Sequence, residues 1–316
     1  MLVNGVWTED WQPVQDKDEK GRFVRQTSSF RNWITADGSA GPTGVGGFKA
    51  EKDRYHLYVA FICPWASRTL MARALKGLTD YITVTVVNPK LSDQGWQFGG
   101  YPGADEDTLN GFAYMHQLYS HADSNFTGRA TVPVLWDKKQ GVVVSNESAD
   151  IVKMLNNAFD HLTGSTLNLR PEELLSDIDA WNEDIYNNFN NGVYKAGFAT
   201  TQFAYEEAYQ NVFRTMDKLE NQLSDGRQYL FGNALTETDV RTFVTLVRFD
   251  VAYYGLFKCN RNLVAQMPHL SKYMQRIFEI EGIKETVNID HIKQGYYSIK
   301  SLNPTGIVPV GPETTL

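Results

Sequence analysis

The chain has 316 residues, 42% of them hydrophobic and 21% charged. That is room for two domains of about 150 residues each, and the composition excludes collagen-like, largely disordered and disulfide-dense classes. Thirty Lys and Arg against 37 Asp and Glu give a formal charge of -7, the wrong sign for a protein that grips a phosphate backbone.

Residues 1–50 carry little periodicity and end in the Gly/Pro-rich stretch Ala36–Gly47, which reads as an irregular extension draped on a folded body, or equally as a dimer arm. The start has neither a basic nor an apolar leader region, and no apolar run approaches the roughly 18 residues of a membrane span. Only Cys63 and Cys259 are present, far apart, which suits a reducing compartment, so the expected location is the cytoplasm and the sequons at Asn125 and Asn146 are chance matches. Gly44, Gly46 and Gly47 precede a strand-like run instead of following one, which argues against a nucleotide loop.

Residues 51–160 form the next unit. Tyr55–Ile62 is rich in aromatic and β-branched residues, Cys63-Pro64 opens a helix over Trp65–Lys76 that stops near Gly77, and Tyr81–Asn88 is a second strand. That βαβ order implies parallel pairing. Order weakens over about 89–130, an insertion with one short amphipathic run at Phe112–Leu118. Thr131–Trp136 and Gly141–Val144 then flank a polar turn as a hairpin, and Ser148–Asn157 begins a helix. The succession βαβ, hairpin, helix predicts a thioredoxin-like α/β domain. Val132-Pro133 falls just before its third strand, where a cis bend would leave the preceding backbone available to an extended peptide; a plain edge-strand proline is the alternative.

After the polar linker Thr163–Asn168, residues 170–300 read as an all-helical domain. Leu174, Ile178, Trp181 and Ile185 share one face, Ala208, Val212, Met216, Leu219 and Leu223 another, and Val240, Phe243, Val244, Val247 and Val251 a third. Thr236-x-x-Asp239 before this last face is a capping signal. Pro268 opens a helix to about Glu281, and residues 301–316 form a surface tail.

The chemistry concentrates at two places. Cys63 sits where a strand meets a helix, so its sulfur would meet the unpaired N–H groups and positive dipole end of that helix, which favour a thiolate. A dithiol motif would put its second cysteine at position 66, which is Ala66; a disulfide made at Cys63 therefore needs an external thiol to resolve it. A buried inert cysteine is the plainer alternative. Ser145-Asn146-Glu147-Ser148 offers a carboxylate and a hydroxyl beside bare helix N–H groups, suited to an amino-acid head group, with Glu147 on the ammonium and Ser148 on the carboxylate; a helix cap without ligand is the alternative. The six histidines show no metal spacing, His116 and His121 read as surface residues, and no metal is expected.

Cys63-Pro64-Trp65-Ala66, Thr131-Val132-Pro133-Val134-Leu135 and Ser145-Asn146-Glu147-Ser148-Ala149, together with Asn191-Gly192-Val193-Tyr194-Lys195-Ala196-Gly197-Phe198-Ala199 and the N-terminal Phe30-Arg31-Asn32-Trp33, resemble the glutathionyl-hydroquinone reductases, the Xi class of the glutathione transferase superfamily. The likeness runs over nearly the whole chain. It implies a thioredoxin-like domain followed by a helical one, glutathione as co-substrate, glutathionyl-hydroquinones as substrates, and a homodimer. It implies Cys63 as nucleophile, with Tyr194 as its catalytic companion, Trp96, Arg129, Val132, Glu147 and Ser148 holding glutathione, and Tyr194, Tyr253 and Tyr296 lining an aromatic pocket. Ser67 departs from the pattern, since relatives often carry His there. A broader thiol transferase or dehydroascorbate reductase, and a noncatalytic binding module of the same fold, are the rival readings.

Overall fold

The computed structural model describes residues 1–8 and 17–313; residues 9–16 of the expected extension and 314–316 of the expected tail lie outside the described residues. The described chain divides into two compact units. The first gathers residues 1–8, 27–167 and 286–291, and the second residues 17–26, 168–285 and 292–313.

In the first unit, β1 (Leu2–Val3) and β2 (Val6–Trp7) make a small antiparallel ribbon. The sheet is built on β3 (Tyr55–Val59), all five of whose residues are buried, as the β-branched and aromatic run predicts for a central strand. It leads through α1 (Pro64–Leu75) to β4 (Ile82–Val86), which pairs parallel to β3 with Leu57 opposite Val84. After α2 (Met115–Ala122), β5 (Val134–Asp137) pairs antiparallel to β3 and β6 (Val142–Ser145) antiparallel to β5, giving the order β4-β3-β5-β6. The buried Arg54 guanidinium ties β3 to β5 by a 2.6 Å bond from Nη2 to Asp137 Oδ2. Next, α3 (Ser148–Asn157) packs against α1, and α4 (Asp160–Thr163) follows, ending at Gly164.

Three expectations shift here. The strand expected from Thr131 begins only at Val134, because Pro133 has no N–H to give the ladder. The amphipathic run expected at Phe112–Leu118 becomes a helix from Met115 to Ala122, started by the Gln117 side chain, whose Oε1 accepts from Tyr114 N at 3.0 Å and Ala113 N at 2.8 Å. His121 is exposed as expected, but His116 is buried, stacked on Trp7 with centroids 4.6 Å apart, and burial pushes its imidazole down to about 4.

The second unit is helical: α5 (Leu175–Ile185), α6 (Gly192–Gly197), α7 (Gln202–Gln222), α8 (Glu237–Arg248), α9 (Pro268–Phe278), and the part of α10 (Ile289–Tyr297) from Ile292 onward. The capping signal before α8 is real: Asp239 Oδ2 accepts from Thr236 N at 2.7 Å, and the buried carboxylate also receives Tyr273 Oη and Leu230 N. Two π-helical turns, Tyr186–Asn190 after α5 and Phe249–Tyr253 after α8, were not expected. Such turns re-aim the side chains that follow them. Gly197 is required by packing, since a Cβ there would lie 2.4 Å from the Phe257 ring. Among the described residues no helix is long and apolar enough to cross a membrane.

Candidate active site

Cys63 is the residue that caps the N-terminus of α1, with extended backbone at φ -79° and ψ 116°, and Pro64 occupies the first helical position, where its missing N–H costs no bond. The Cys63 carbonyl opens the helix by accepting from Ser67 N at 2.9 Å. The side chain is half-buried, and its Sγ lies 3.5 Å from the Val132 carbonyl oxygen. The Val132-Pro133 bond is cis, and Val132 stands two residues ahead of β5, outside the strand pairing. Cys259, by contrast, is fully buried and burial drives its thiol far up. The molecule therefore keeps one cysteine at a helix start and one locked in the helical core.

Glu147 and Ser148 meet at the next helix start. Glu147 is the N-cap of α3, its Oε1 accepting from Ala149 N at 3.0 Å. Ser148 Oγ accepts from Arg68 Nε at 3.0 Å and Nη2 at 2.6 Å, and the same guanidinium stands 3.5 Å from Glu147 Oε1. Burial pushes the Glu147 carboxyl up, but Arg68, the Ala149 N–H, Ser28 and Arg31 outweigh it and hold the group below the ordinary carboxylate range. Glu147 is thus an anion at neutral pH. Tyr119 links this corner to the proline bend: its Oη donates to the Thr131 carbonyl at 2.9 Å and accepts from Asn146 Nδ2 at 3.2 Å. Trp96 and Arg129, both half-buried in the same unit, lie on the segments leading into α2 and into this bend. Trp96 O accepts from Met115 N at 2.9 Å, and Arg129 follows Gly128, which pairs with Leu2.

In the second unit the three expected tyrosines come together through their hydroxyls. Tyr194 Oη lies 2.5 Å from Tyr296 Oη, which lies 2.7 Å from Tyr253 Oη. Tyr253 and Tyr296 are buried, and burial raises both phenols well above the ordinary value; Tyr194, on α6, is half-buried and is the accessible end of the chain. Tyr253 closes one π-helical turn and α6 follows the other.

Sequence reasoning missed Arg68, Ser28 and Tyr119. An arginine amid the otherwise small and apolar run Ala66–Ala72 was the available signal for Arg68, since such a charge must find a partner inside. Ser28 carried no signal: its 3.0 Å bond to Glu147 Oε2 is made across 119 residues of chain. Among the described residues no group of three or more His, Cys, Asp or Glu could hold a metal ion.

With this geometry in place, comparison with known proteins gives a consistent result. Residues 62–158 match the glutathione S-transferase N-terminal domain model and residues 202–276 the C-terminal domain model. The chain is 51% identical to glutathionyl-hydroquinone reductase YqjG of Escherichia coli, covering 99% of this chain and 95% of that one, and 46% identical to glutathionyl-hydroquinone reductase PcpF of Sphingobium chlorophenolicum, covering 100% and 97%. The glutathione-bound structure of the Escherichia coli protein superposes with a TM-score of 0.91 over 99% of this chain and 96% of that one, at 49% identity.

Proposed function

The chain belongs to the Xi-class glutathionyl-hydroquinone reductases of the glutathione transferase superfamily, and from that premise we propose that it reduces glutathionyl-hydroquinones through a mixed disulfide between Cys63 and glutathione. The observation that carries the reading is the placement of Cys63 at the start of α1, beside Val132, with Ala66 where a resolving cysteine would stand.

The substrate is a hydroquinone bearing glutathione as a thioether. Shifting one hydroxyl proton to the sulfur-bearing carbon gives a keto tautomer. The Cys63 thiolate attacks the glutathionyl sulfur, the carbon–sulfur bond breaks, and its electron pair passes into the ring and onto oxygen. Tyr194 Oη protonates that oxygen or holds it by a hydrogen bond, supported by Tyr296 and Tyr253 behind it. A glutathione thiolate then attacks the mixed disulfide, releasing glutathione disulfide and restoring Cys63. One glutathionyl-hydroquinone and one glutathione become one hydroquinone and one glutathione disulfide. Glutathione is held by Glu147 on its ammonium, by Ser148 and the α3 N-terminus on a carboxylate, and by the Val132 backbone, with Trp96 and Arg129 as further contacts; anions suit a helix N-terminus. A cytoplasmic homodimer belongs to the same reading, and light scattering on the purified protein tests the dimer.

The deciding experiment is intact mass after exposure to a glutathionyl-hydroquinone without free glutathione. One reducible glutathione adduct, mapping to the Cys63 peptide and lost in Cys63→Ser while that variant still binds glutathione, is the expected result. Turnover that survives Cys63→Ser, or adduct formation from disulfides with none from the glutathionyl-hydroquinone, overturns it.

A further inference from the structure

The described residues 17–26 belong to the helical unit, although they precede the whole sheet in the chain. Their side chains pack on α6. Phe23 is buried with its ring centroid 6.1 Å from that of Tyr194 and 6.0 Å from that of Phe198. The Arg25 guanidinium carbon lies 5.4 Å from the Tyr194 ring centroid and 5.4 Å from that of Phe23, within cation–π range of both. Its Nε donates a 2.8 Å bond to Asn191 Oδ1, on the residue that joins the π-helical turn to α6. The guanidinium is thus held by a hydrogen bond to the Asn191 side chain, at the start of the helix that carries Tyr194, and lies with its charge over the Tyr194 ring.

We propose that Arg25 is a positioning residue for the leaving-group half of the reaction, acting through Tyr194: its cation over the ring favours the phenol that gives up its proton and aims that hydroxyl. The inference rests on the reaction proposed above. A phenolate ring is richer in electrons than a phenol ring, so a cation above it is held more tightly after the proton has left than before. The interaction therefore strengthens as the oxygen of the leaving hydroquinone takes the proton, which is the kind of contact that lowers a barrier and not merely a binding energy. Arg248, buried at the end of α8 with its Nη1 bonded to Val244 O at 2.7 Å, acts on Tyr253 and Tyr296 and lowers both, against the burial that raises them. Lys195, next to Tyr194, sends its Nζ to Asn187 O at 3.0 Å. Arg25 accordingly lies over the half-buried phenol, while Arg248 acts on the two buried ones.

The test uses the full-length protein as wild type, Arg25→Met, Arg25→Lys and Tyr194→Phe, and the two double variants of Arg25 with Tyr194→Phe. Steady-state rates with a glutathionyl-hydroquinone are followed across pH 6 to about 10, alongside glutathione-dependent reduction of the mixed disulfide of glutathione and 2-mercaptoethanol, whose thiolate leaves without help from a phenol. Arg25→Met is expected to lower kcat on the glutathionyl-hydroquinone about tenfold and to move the high-pH fall in rate upward, because a tyrosine without its cation loses its proton later. Arg25→Lys should recover part of the rate, and in the Tyr194→Phe background the Arg25 substitutions should cost nothing further. An unchanged rate and pH profile in Arg25→Met, an equal loss in the Tyr194→Phe background, or a parallel loss on the mixed disulfide overturns the assignment. A wild-type protein that acquires no adduct from the glutathionyl-hydroquinone refutes the underlying reaction instead, so the two failures are told apart.

Discussion

Arg68 shows how one buried charge can organise the corner proposed for glutathione. Its guanidinium is 2% exposed, yet it donates twice to Ser148 and neutralises Glu147, so two side chains assigned to glutathione are held by a residue that is not itself assigned to it. Removing it deprives the half-sheltered Glu147 carboxylate of its main counter-charge, and breaking such a pair from one side costs more than the pair contributes, about 3 kcal/mol. Arg68→Met should therefore lower folding stability by about that amount and weaken glutathione at least tenfold, with Arg68→Lys in between; urea titration and calorimetric titration with glutathione check the two. The sign with pH follows from the depressed Glu147 group. Its contribution is present above the ordinary 4.5 and is lost as pH falls through the lower folded-state value. Without Arg68 that value rises, so glutathione binding should fail at a higher pH in Arg68→Met than in wild type.

At the scale of elements, the segment Ser28–Asn32 behaves as an added edge on the corner that carries Glu147 and Ser148. Asn32 N donates to Val144 O at 2.9 Å, Asn146 N to Phe30 O at 3.2 Å, Phe30 N to Asn146 Oδ1 at 3.1 Å, and Ser28 Oγ to Glu147 Oε2 at 3.0 Å. Arg31 pairs with Asp150 in the first turn of α3. The extension thus orients the loop between β6 and α3. Ser28→Ala should weaken glutathione by about 1.5 kcal/mol, roughly tenfold, the worth of a hydrogen bond to a charged group, whereas Ser29→Ala on the exposed neighbour should leave affinity unchanged; equal effects from both would refute this role. This element also marks the limit of what the sequence discloses. Strands and helices with a strong local pattern, Tyr55–Val59, Ile82–Val86 and Ser148–Asn157, lie within the stretches read from periodicity, Pro64–Leu75 matches the helix read over Trp65–Lys76 to within one residue at each end, and the Thr236-x-x-Asp239 cap is where its spacing places it. The Cys63 helix start, the Val132-Pro133 bend and the choice of Tyr194, Tyr253 and Tyr296 follow from motifs and resemblance, whereas the hydrogen-bonded chain of the three hydroxyls does not. The roles of Ser28, Phe30 and Arg25 do not, because Glu147, Asn146 and Asn191, which they bond, stand more than a hundred residues away and nothing local in a Ser, Phe or Arg reports a distant contact. The π-helical turns escaped for a related reason: they interrupt a helical period by a single residue, too little to change the apolar pattern.

For the whole molecule, residues 17–50 are divided between the two units: residues 27–50 belong with the sheet that carries Cys63, and residues 17–26 with the helices that carry the three tyrosines. The first unit is acid-sensitive through the buried imidazoles of His56 and His116. His56 lies between Thr83 Oγ1 at 2.7 Å and Thr85 Oγ1 at 3.0 Å, and burial pushes it down to about 4; burial brings His116 to about 4 as well. The ordinary value is 6.5. Between pH 6.5 and about 4 the unfolded chain therefore binds two protons that the folded chain refuses, and stability falls as the solution is acidified, by about 1.4 kcal/mol per pH unit for each group at full effect. Above pH 6.5 neither group contributes to the dependence. Urea unfolding at half-unit steps from pH 8 to 4.5 should show a plateau followed by a decline, and His56→Gln, which fills the place with a group that cannot charge, should flatten the decline by about one proton's worth. An unchanged slope in that variant would mean that His56 is protonated in the folded protein.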